Sequence, residues 1–304
     1  MKRKEKGFTV VELLTVVAII ALLVGLLIPA LTAVKTTAKE TKQRGQFATI
    51  DLALAAFKND YGDYPPSKWW DPESVPPDPR DYCGAQKLAE ALVGWDLMGF
   101  HPRSDFRATG RTNAGVFVYN PANRTFMEER KGPYLELERA NAFRLGDISP
   151  QRPGLFIETG QLAPDTFVLC DVFGVKKITT VRPGMGLPEG TTERAGTPIL
   201  YYRANTSSKI FGLDDSTVPY RDQMYNPRDN FPLIDLGRLA DWDKPPSARR
   251  RHIRFEDTNF FFEYLRNPKV TARPWPYRPD SYILISAGPD GEYGTGDDIT
   301  NFKK

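Results

Sequence analysis

The sequence predicts an α+β fold: a long N-terminal helix, its first half transmembrane and its second half amphipathic, packed on a small antiparallel β-sheet with large loop insertions. Three observations lead there. The chain is apolar from Thr9 to Leu31 except for Glu12, and the 19 residues from Leu13 to Leu31 carry no ionisable side chain. At about 1.5 Å per residue that stretch covers roughly 28 Å, close to the hydrocarbon thickness of a bilayer. Further on, Phe47, Ile50, Leu54 and Phe57 recur at spacings of three, four and three, which draws one apolar stripe along a helix. Finally, short β-type runs at residues 115–119, 166–170, 198–203 and 281–286 are separated by turn-rich segments. A sheet laid against the amphipathic half-helix buries both apolar faces.

Taken in chain order, the first seven residues are a basic leader, with Lys2, Arg3, Lys4 and Lys6 against Glu5. The apolar run after it is longer than the core of a cleaved secretory signal, and no A-x-A site with a polar exit follows. Glu12 is the anomaly. A charged carboxylate at the centre of a membrane helix costs roughly 2.5 to 3.5 kcal/mol on insertion scales, so an acid there needs a cation or a proton. No Lys or Arg lies between Gly7 and Lys35. Pro29 removes one backbone hydrogen bond and crowds the carbonyl of Gly25, for which a simple kink tolerated by lipid is the bland reading. Lys35, Lys39, Lys42 and Arg44 keep the next turns wet, and the run from Asn59 to Pro66, with one glycine and two prolines, stops the helix. The Pro- and Arg-rich stretches from Tyr64 to Arg80 and from Asp214 to Pro279 read as long loops, either functional or poorly ordered.

Charge and composition narrow the function classes. The chain holds 41 Lys and Arg against 38 Asp and Glu, a formal +3, but removing the leader's four cations and one acid leaves 37 of each. A balanced chain with a single basic cluster, Arg249 to Arg254, and no interleaved aromatic platforms ranks nucleic-acid binding low. Leader positivity beside an apolar helix reads instead as orientation, with the N-terminus cytoplasmic and the remainder exported. Export places Cys83 and Cys170 where disulfides persist, and the spacing leaves both a bridge and two separate thiols open. His101 and His252 stand alone in sequence, and no nucleophile-elbow, zincin or phosphate-loop pattern occurs. Enzyme is therefore the weaker class. Trp69 and Trp70 beside prolines suit local packing more than a stacking platform.

The order of basic residues, Gly7, Phe8, Thr9, Val10, Val11, Glu12, Leu13 and Leu14 resembles the type III signal of type IV pilins and pseudopilins. That resemblance implies cleavage by a prepilin peptidase between Gly7 and Phe8, methylation of the new N-terminus at Phe8, and assembly in which Glu12 meets the Phe8 amine of a neighbouring subunit. Several segments, in order, resemble the major pseudopilin of type II secretion. They are the helix exit Phe57 to Pro65, Lys131-Gly-Pro-Tyr-Leu135, Asp171-Val-Phe-Gly174, Gly196 to Tyr202, and the C-terminal loop. Insertions at about 67–130 and 205–275 have no counterpart in that family, whose members are much shorter.

The C-terminal loop, 286–302, contains four acids, four glycines and no Lys or Arg. Glycines let a backbone fold tightly enough to turn carbonyls and carboxylates inward, and hard oxygen ligands in such a loop suit calcium. The spacing departs from an EF-hand, and an Asp/Gly-rich solvated turn is the bland alternative. The family resemblance implies a Ca2+ site in which Asp290, Asp297 and Asp298 supply carboxylates, Thr295 an oxygen, and Ala287 and Asn301 backbone carbonyls.

The resulting expectation divides the chain into a prepilin leader (1–7), a transmembrane half-helix (8–31), an amphipathic half-helix (32–60) and a pseudopilin head (61–304). It is a non-enzymatic subunit, held in the inner membrane by one pass with its head periplasmic, or extracellular as a filament. It forms a homopolymer through its N-terminal helices into a periplasmic pseudopilus that drives type II protein secretion. Its partners are the prepilin peptidase, inner-membrane assembly components and minor pseudopilins. The alternative is a type IV pilus subunit or minor pilin with a role in adhesion or DNA uptake. A membrane-tethered hydrolase is the outsider.

Overall fold

A computed structural model describes residues 9–69, 82–148, 165–180, 191–212 and 218–303. It divides into two compact units, residues 1–42 and 43–304. Helix α1, Val10–Tyr61, runs through 52 residues with Pro29 inside it. In the first unit its apolar side chains are exposed on every side, Leu13, Val17, Ile20 and Leu27 among them. Such a helix suits lipid or the apolar helices of other chains rather than water.

In the second unit the remaining turns of α1 bury Phe47, Ile50, Ala53, Leu54 and Phe57. This is the stripe read from the sequence. The helix ends where Gly62 adopts φ +83° and its amide returns to the Lys58 carbonyl at 2.7 Å, a left-handed stop that glycine takes without a Cβ clash.

Seven further α-helices follow among the described residues: α2 (Gly84–Val93), α3 (Arg124–Glu129), α4 (Leu137–Ala140), α5 (Leu145–Ile148), α6 (Phe231–Asp235), α7 (Ile253–Glu256) and α8 (Thr258–Leu265). The strands are β1 (Ala142–Arg144), β2 (Phe167–Leu169), β3 (Lys176–Thr180), β4 (Thr191–Ala195), β5 (Leu200–Arg203), β6 (Tyr282–Ser286) and β7 (Ile299–Thr300). They form antiparallel pairs β1–β2 and β3–β4 and an antiparallel sheet in the order β5–β6–β7.

Side-chain alternation along β5 and β6 builds two cores, one on each face of the sheet. Tyr201, Tyr282 and Leu284 join Phe47, Ile50, Leu54 and Phe57 of α1. Leu200, Tyr202, Ile283 and Ile285 point the other way, into a second core made with Leu233, Trp242, Phe255, Phe261 and Leu265 of the later insertion. That explains why β6 carries the unbroken apolar run Tyr-Ile-Leu-Ile before Ser286, for both its faces are covered.

Helix α2 is buried along its whole length and serves both cores, with Cys83 and Ala85 at one end and Leu88, Ala89 and Leu92 at the other. It starts on a glycine for a steric reason: a Cβ at Gly84 would lie 2.3 Å from the Tyr201 carbonyl oxygen of β5. Asn230 from the later insertion completes this junction, accepting from the Ala85 amide at 2.8 Å and donating to the Tyr201 carbonyl at 2.7 Å.

Two expectations need correction, and for the cysteines the structure takes one of the two states left open. Residues 115–119 form no strand; Gly115 at φ +82° and hydrogen bonds from Thr112 to Val116 and from Val118 to Gly110 make a tight turn, with one isolated bridge between Arg111 and Phe117. The stretch from Asp214 to Pro279 is folded from residue 218 onward, carrying α6, α7 and α8 and half of a core. No disulfide joins Cys83 and Cys170: both are buried thiols, one at the start of α2 and the other bridged to Pro198. Burial pushes the Cys83 thiol up to about 12. Trp69 packs locally, 6.2 Å from the Phe231 ring, whereas Trp70 lies outside the described residues.

Candidate assembly and cation sites

The residues singled out by the sequence fall at the two ends of the chain. At the first, Gly7 and Phe8 lie outside the described residues, and Glu12 is exposed in the first turn of α1. Thr9 donates to Glu12 Oε2 from its amide at 2.8 Å and from its hydroxyl at 2.7 Å, and the Glu12 amide donates back to the Thr9 hydroxyl at 3.2 Å. This reciprocal pair is a capping box, Thr-x-x-Glu, which occupies donors that the first helical turn leaves unpaired. The pattern was present in the sequence as Thr9 and Glu12 three residues apart, and reading Glu12 only as a membrane acid passed over it.

At the other end the loop after β6 is held in place by the head. Asp171 lies beneath it: its Oδ1 accepts from the amides of Thr197 and Phe173, both at 3.1 Å, and its Oδ2 from the Ser286 hydroxyl at 3.1 Å. A Cβ at Gly196 would lie 2.0 Å from the Asp171 carbonyl oxygen, so the segments around Asp171 and Gly196 meet at the root of the loop. Gln43 and Gln46 of α1 bind the same place, Gln43 accepting from the Val172 amide at 3.0 Å and Gln46 donating to the Cys170 carbonyl at 3.0 Å.

Within the loop the two arms touch. A Cβ at Gly288, φ +64°, would stand 2.2 Å from the Asp297 carbonyl oxygen. The Asp290 amide donates to Asp297 Oδ2 at 3.0 Å, and the Thr295 hydroxyl donates to Asp297 Oδ1 at 2.5 Å. Asp290, Thr295 and Asp297 therefore come together. Partial burial and the neighbouring charge of Asp297 push the Asp290 carboxyl above its usual range.

Asp298 has a different setting. Its Oδ2 accepts from the Tyr264 hydroxyl at 2.7 Å and from the Gly294 amide at 2.8 Å, while its Oδ1 is buried without a hydrogen-bond partner among the described residues. Burial pushes this carboxyl up to about 7. Ala287 is fully buried at the exit of β6. Asn301 spends its side chain on structure, accepting from the Leu284 amide at 2.9 Å and donating to Asp51 of α1 at 3.3 Å. Among the described residues no three acids, histidines or cysteines gather into a metal cluster. The loop thus holds two adjoining carboxylates, Asp290 and Asp297, and apart from them the buried Asp298 carboxylate on Tyr264. Oxygen ligands of this kind, carbonyls as well as carboxylates, are those that calcium takes.

The N-terminal residues carry a methylation motif. Residues 2–28 match the family described as Prokaryotic N-terminal methylation motif. The chain is also similar to Type II secretion system core protein G of Dickeya chrysanthemi, 29% identical over 87 residues. That match takes in 27% of this chain and 57% of the length of the relative. No solved structure matches.

Several residues that shape the loop were not singled out from the sequence. Tyr293, the one large apolar side chain between Ala287 and Asp298, is fully buried and anchors the loop: its hydroxyl donates to the Pro198 carbonyl and its ring lies 4.6 Å from that of His252. His252 Nδ1 accepts from the Tyr293 amide at 3.2 Å, and burial lowers this imidazole to about 3, so it is a neutral acceptor. The loop has no basic residue of its own, yet Arg238 pairs with Glu292 and Arg254 donates to the Gly294 carbonyl at 3.0 Å. Only the fold brings those cations to the loop. The rest of the basic cluster is also engaged, Arg250 with Asp241 and Arg251 with Glu256, both at 2.7 Å.

Proposed function

We propose that this chain is a structural, pilin-like subunit rather than an enzyme, and that it polymerises through its N-terminal helices into a periplasmic pseudopilus serving type II protein secretion. The observation that carries the reading is a methylation motif over residues 2–28 on a helix whose apolar residues are exposed all round. Similarity to a type II secretion core protein supports the secretion role over pili at large. In this reading a prepilin peptidase cleaves after Gly7, Phe8 becomes the methylated N-terminus, the leader's positive charge keeps that end cytoplasmic, and the head faces the periplasm.

Glu12 then has two tasks. Its Oε2 closes the capping box with Thr9, and its Oε1 accepts the Phe8 amine of a neighbouring subunit. Pairing in the membrane removes the cost of a lone carboxylate and selects one axial register, because only one stagger brings amine and acid together. Partners are therefore other copies of this chain, minor pseudopilins and the inner-membrane assembly components.

The C-terminal loop is the calcium site of this reading. Asp290, Asp297 and Asp298 with Thr295, and the carbonyls of Ala287 and Asn301, are the ligands. Calcium would neutralise the repulsion among the acids. The chain's own groups do the positioning, through Tyr293 on His252, Ser286 on Asp171, and Asn301 on Asp51. Binding to the folded head alone stabilises it by linkage. The functional test is co-expression with the assembly machinery and electron microscopy for filaments, with calcium and with chelator. Filaments in calcium that are fewer in chelator are the expected result. Absence of filaments under both conditions contradicts the reading. For the metal, a head whose melting temperature is equal in chelator and millimolar calcium refutes the site.

A further inference from the structure

Between Leu31 and Gln43 the only ionisable side chains are Lys35, Lys39, Glu40 and Lys42. All four lie inside α1. At about 100° per residue the three lysines fall within an arc of about 60°, whereas Glu40 stands about 140° from Lys35. The spacing of four and then three residues therefore lays three cations along one face of the helix and leaves the acid off it. All three lysines are exposed. Lys39 has an interaction of its own, but the side chains of Lys35 and Lys42 make no ion pair or hydrogen bond among the described residues.

The uncharged polar groups of the same stretch are turned onto the helix. The hydroxyls of Thr32, Thr36, Thr37 and Thr41 each donate to the carbonyl four residues earlier, at 3.0, 3.2, 3.1 and 2.9 Å. The groups that reach outward as donors are the ammonium groups.

Position along the helix decides what they meet. At about 1.5 Å per residue Lys35 follows Leu31 by roughly 6 Å and Lys42 by roughly 16 Å, while the headgroup layer is roughly 5–7 Å deep on each side of the hydrocarbon. Side chains on a helix tilt toward its N-terminus, here toward the apolar run, and a lysine stem carries its ammonium farther that way. Lys35 then stands at the level of the lipid phosphates, and Lys42 within about one Debye length of them, ~8 Å at physiological salt. A zwitterionic lipid brings its own ammonium beside each phosphate. An anionic phospholipid leaves that charge for the protein to meet.

We propose that Lys35 and Lys42, with Lys39 between them, form a contact for anionic phospholipid headgroups where α1 leaves the bilayer on the head side, a proposal that rests on the membrane-spanning reading of residues 13–31. The contact sets the depth at which the helix emerges.

The experiment places the full chain in phosphatidylcholine liposomes with trace spin-labelled phosphatidylglycerol or spin-labelled phosphatidylcholine, and reads the fraction of each label that the protein immobilises. The expected result is a preference for phosphatidylglycerol of about two- to fivefold, up to the factor that one cation near a membrane surface confers. High salt should weaken it. The double variant Lys35→Gln, Lys42→Gln should lose most of it, and Lys35→Arg, Lys42→Arg should keep it, with equal melting curves for the head. Where the glutamine variant does not insert, the salt titration of the parent decides, and a preference indifferent to salt overturns the proposal. Equal immobilisation of the two labels by the parent overturns it too. A preference that survives in the glutamine variant assigns it to the leader's cations and overturns it as well. So does a glutamine variant that keeps the lipid preference but forms no filaments, because the lysines then face an acidic surface of a neighbouring subunit. A chain that washes off the liposomes in alkaline carbonate contradicts the membrane reading and the proposal together, whereas one that stays inserted without preference contradicts the proposal alone.

Discussion

Between Val10 and Val34 the large apolar side chains of α1 stand between 46 and 73% exposed, whereas Phe47, Ile50, Leu54 and Phe57 on the same helix are at most 3% exposed. Backbone geometry and helix propensity barely differ between the two halves. What differs is the second surface available to each. The later half finds one in its own chain, through β5, β6 and α2; the earlier half has an apolar surface on all sides and none to cover it within its own unit. Burial of apolar area drives folding in one case and, in the proposed function, insertion and assembly in the other.

The largest expected effect separates the halves directly. Leu54→Ala should destabilise the head by about 2–5 kcal/mol, the usual cost of truncating a fully buried leucine. Leu23→Ala should leave head stability within about 0.5 kcal/mol, as surface changes do. Urea unfolding in detergent, followed by tryptophan fluorescence, reads both, and equal losses would break the comparison.

Next in size is a pH effect confined to the head. Asp229 is raised from 3.8 to about 6 by burial. Because its folded pKa exceeds its unfolded one, the folded state holds the proton longer, so its contribution favours folding below about pH 4 and is lost as pH rises through 6. Stability should therefore fall across that window by about 3 kcal/mol, and Asp229→Asn should remove this part of the slope. A slope unchanged in the variant would assign the effect elsewhere.

Tyr293→Phe probes the anchoring of the C-terminal loop and should cost about 1 kcal/mol, the worth of one buried hydrogen bond, here to the Pro198 carbonyl. It should also make the head more sensitive to chelator if the loop holds calcium. The smallest effect concerns the thiols. Intact mass should be the same with and without reductant, and alkylation of Cys83 should require unfolding, because the thiol is fully buried and shifted up to about 12.

Legibility in the sequence followed the range of the interactions. The helix, its stripe and its stop were readable because periodicity and a Gly/Pro exit are local signals, and β5 and β6 because apolar β-branched and aromatic runs are. β3 and β4, Lys-Lys-Ile-Thr-Thr and Thr-Thr-Glu-Arg-Ala, were missed because their polar faces hide the period of two. The later insertion looked like loop since Pro and Arg punctuate it, although Trp242, Phe255, Phe261 and Leu265 sit at intervals that meet only in space. At the functional ends, sequence selected the loop's acids. It could not foresee that Asn301 would be occupied by β6 and α1, or that Arg238 and His252 would reach the loop from about 40 to 55 residues away, because such contacts are tertiary.

The central claim is that Glu12 is an assembly residue on a helix made for other helices. Glu12→Val, expressed with the assembly machinery and viewed by electron microscopy beside the parent chain, tests it most directly. The expected variant inserts in the membrane with a folded head, keeps the parent's urea unfolding curve, and forms no filaments. Normal filaments from Glu12→Val would contradict it.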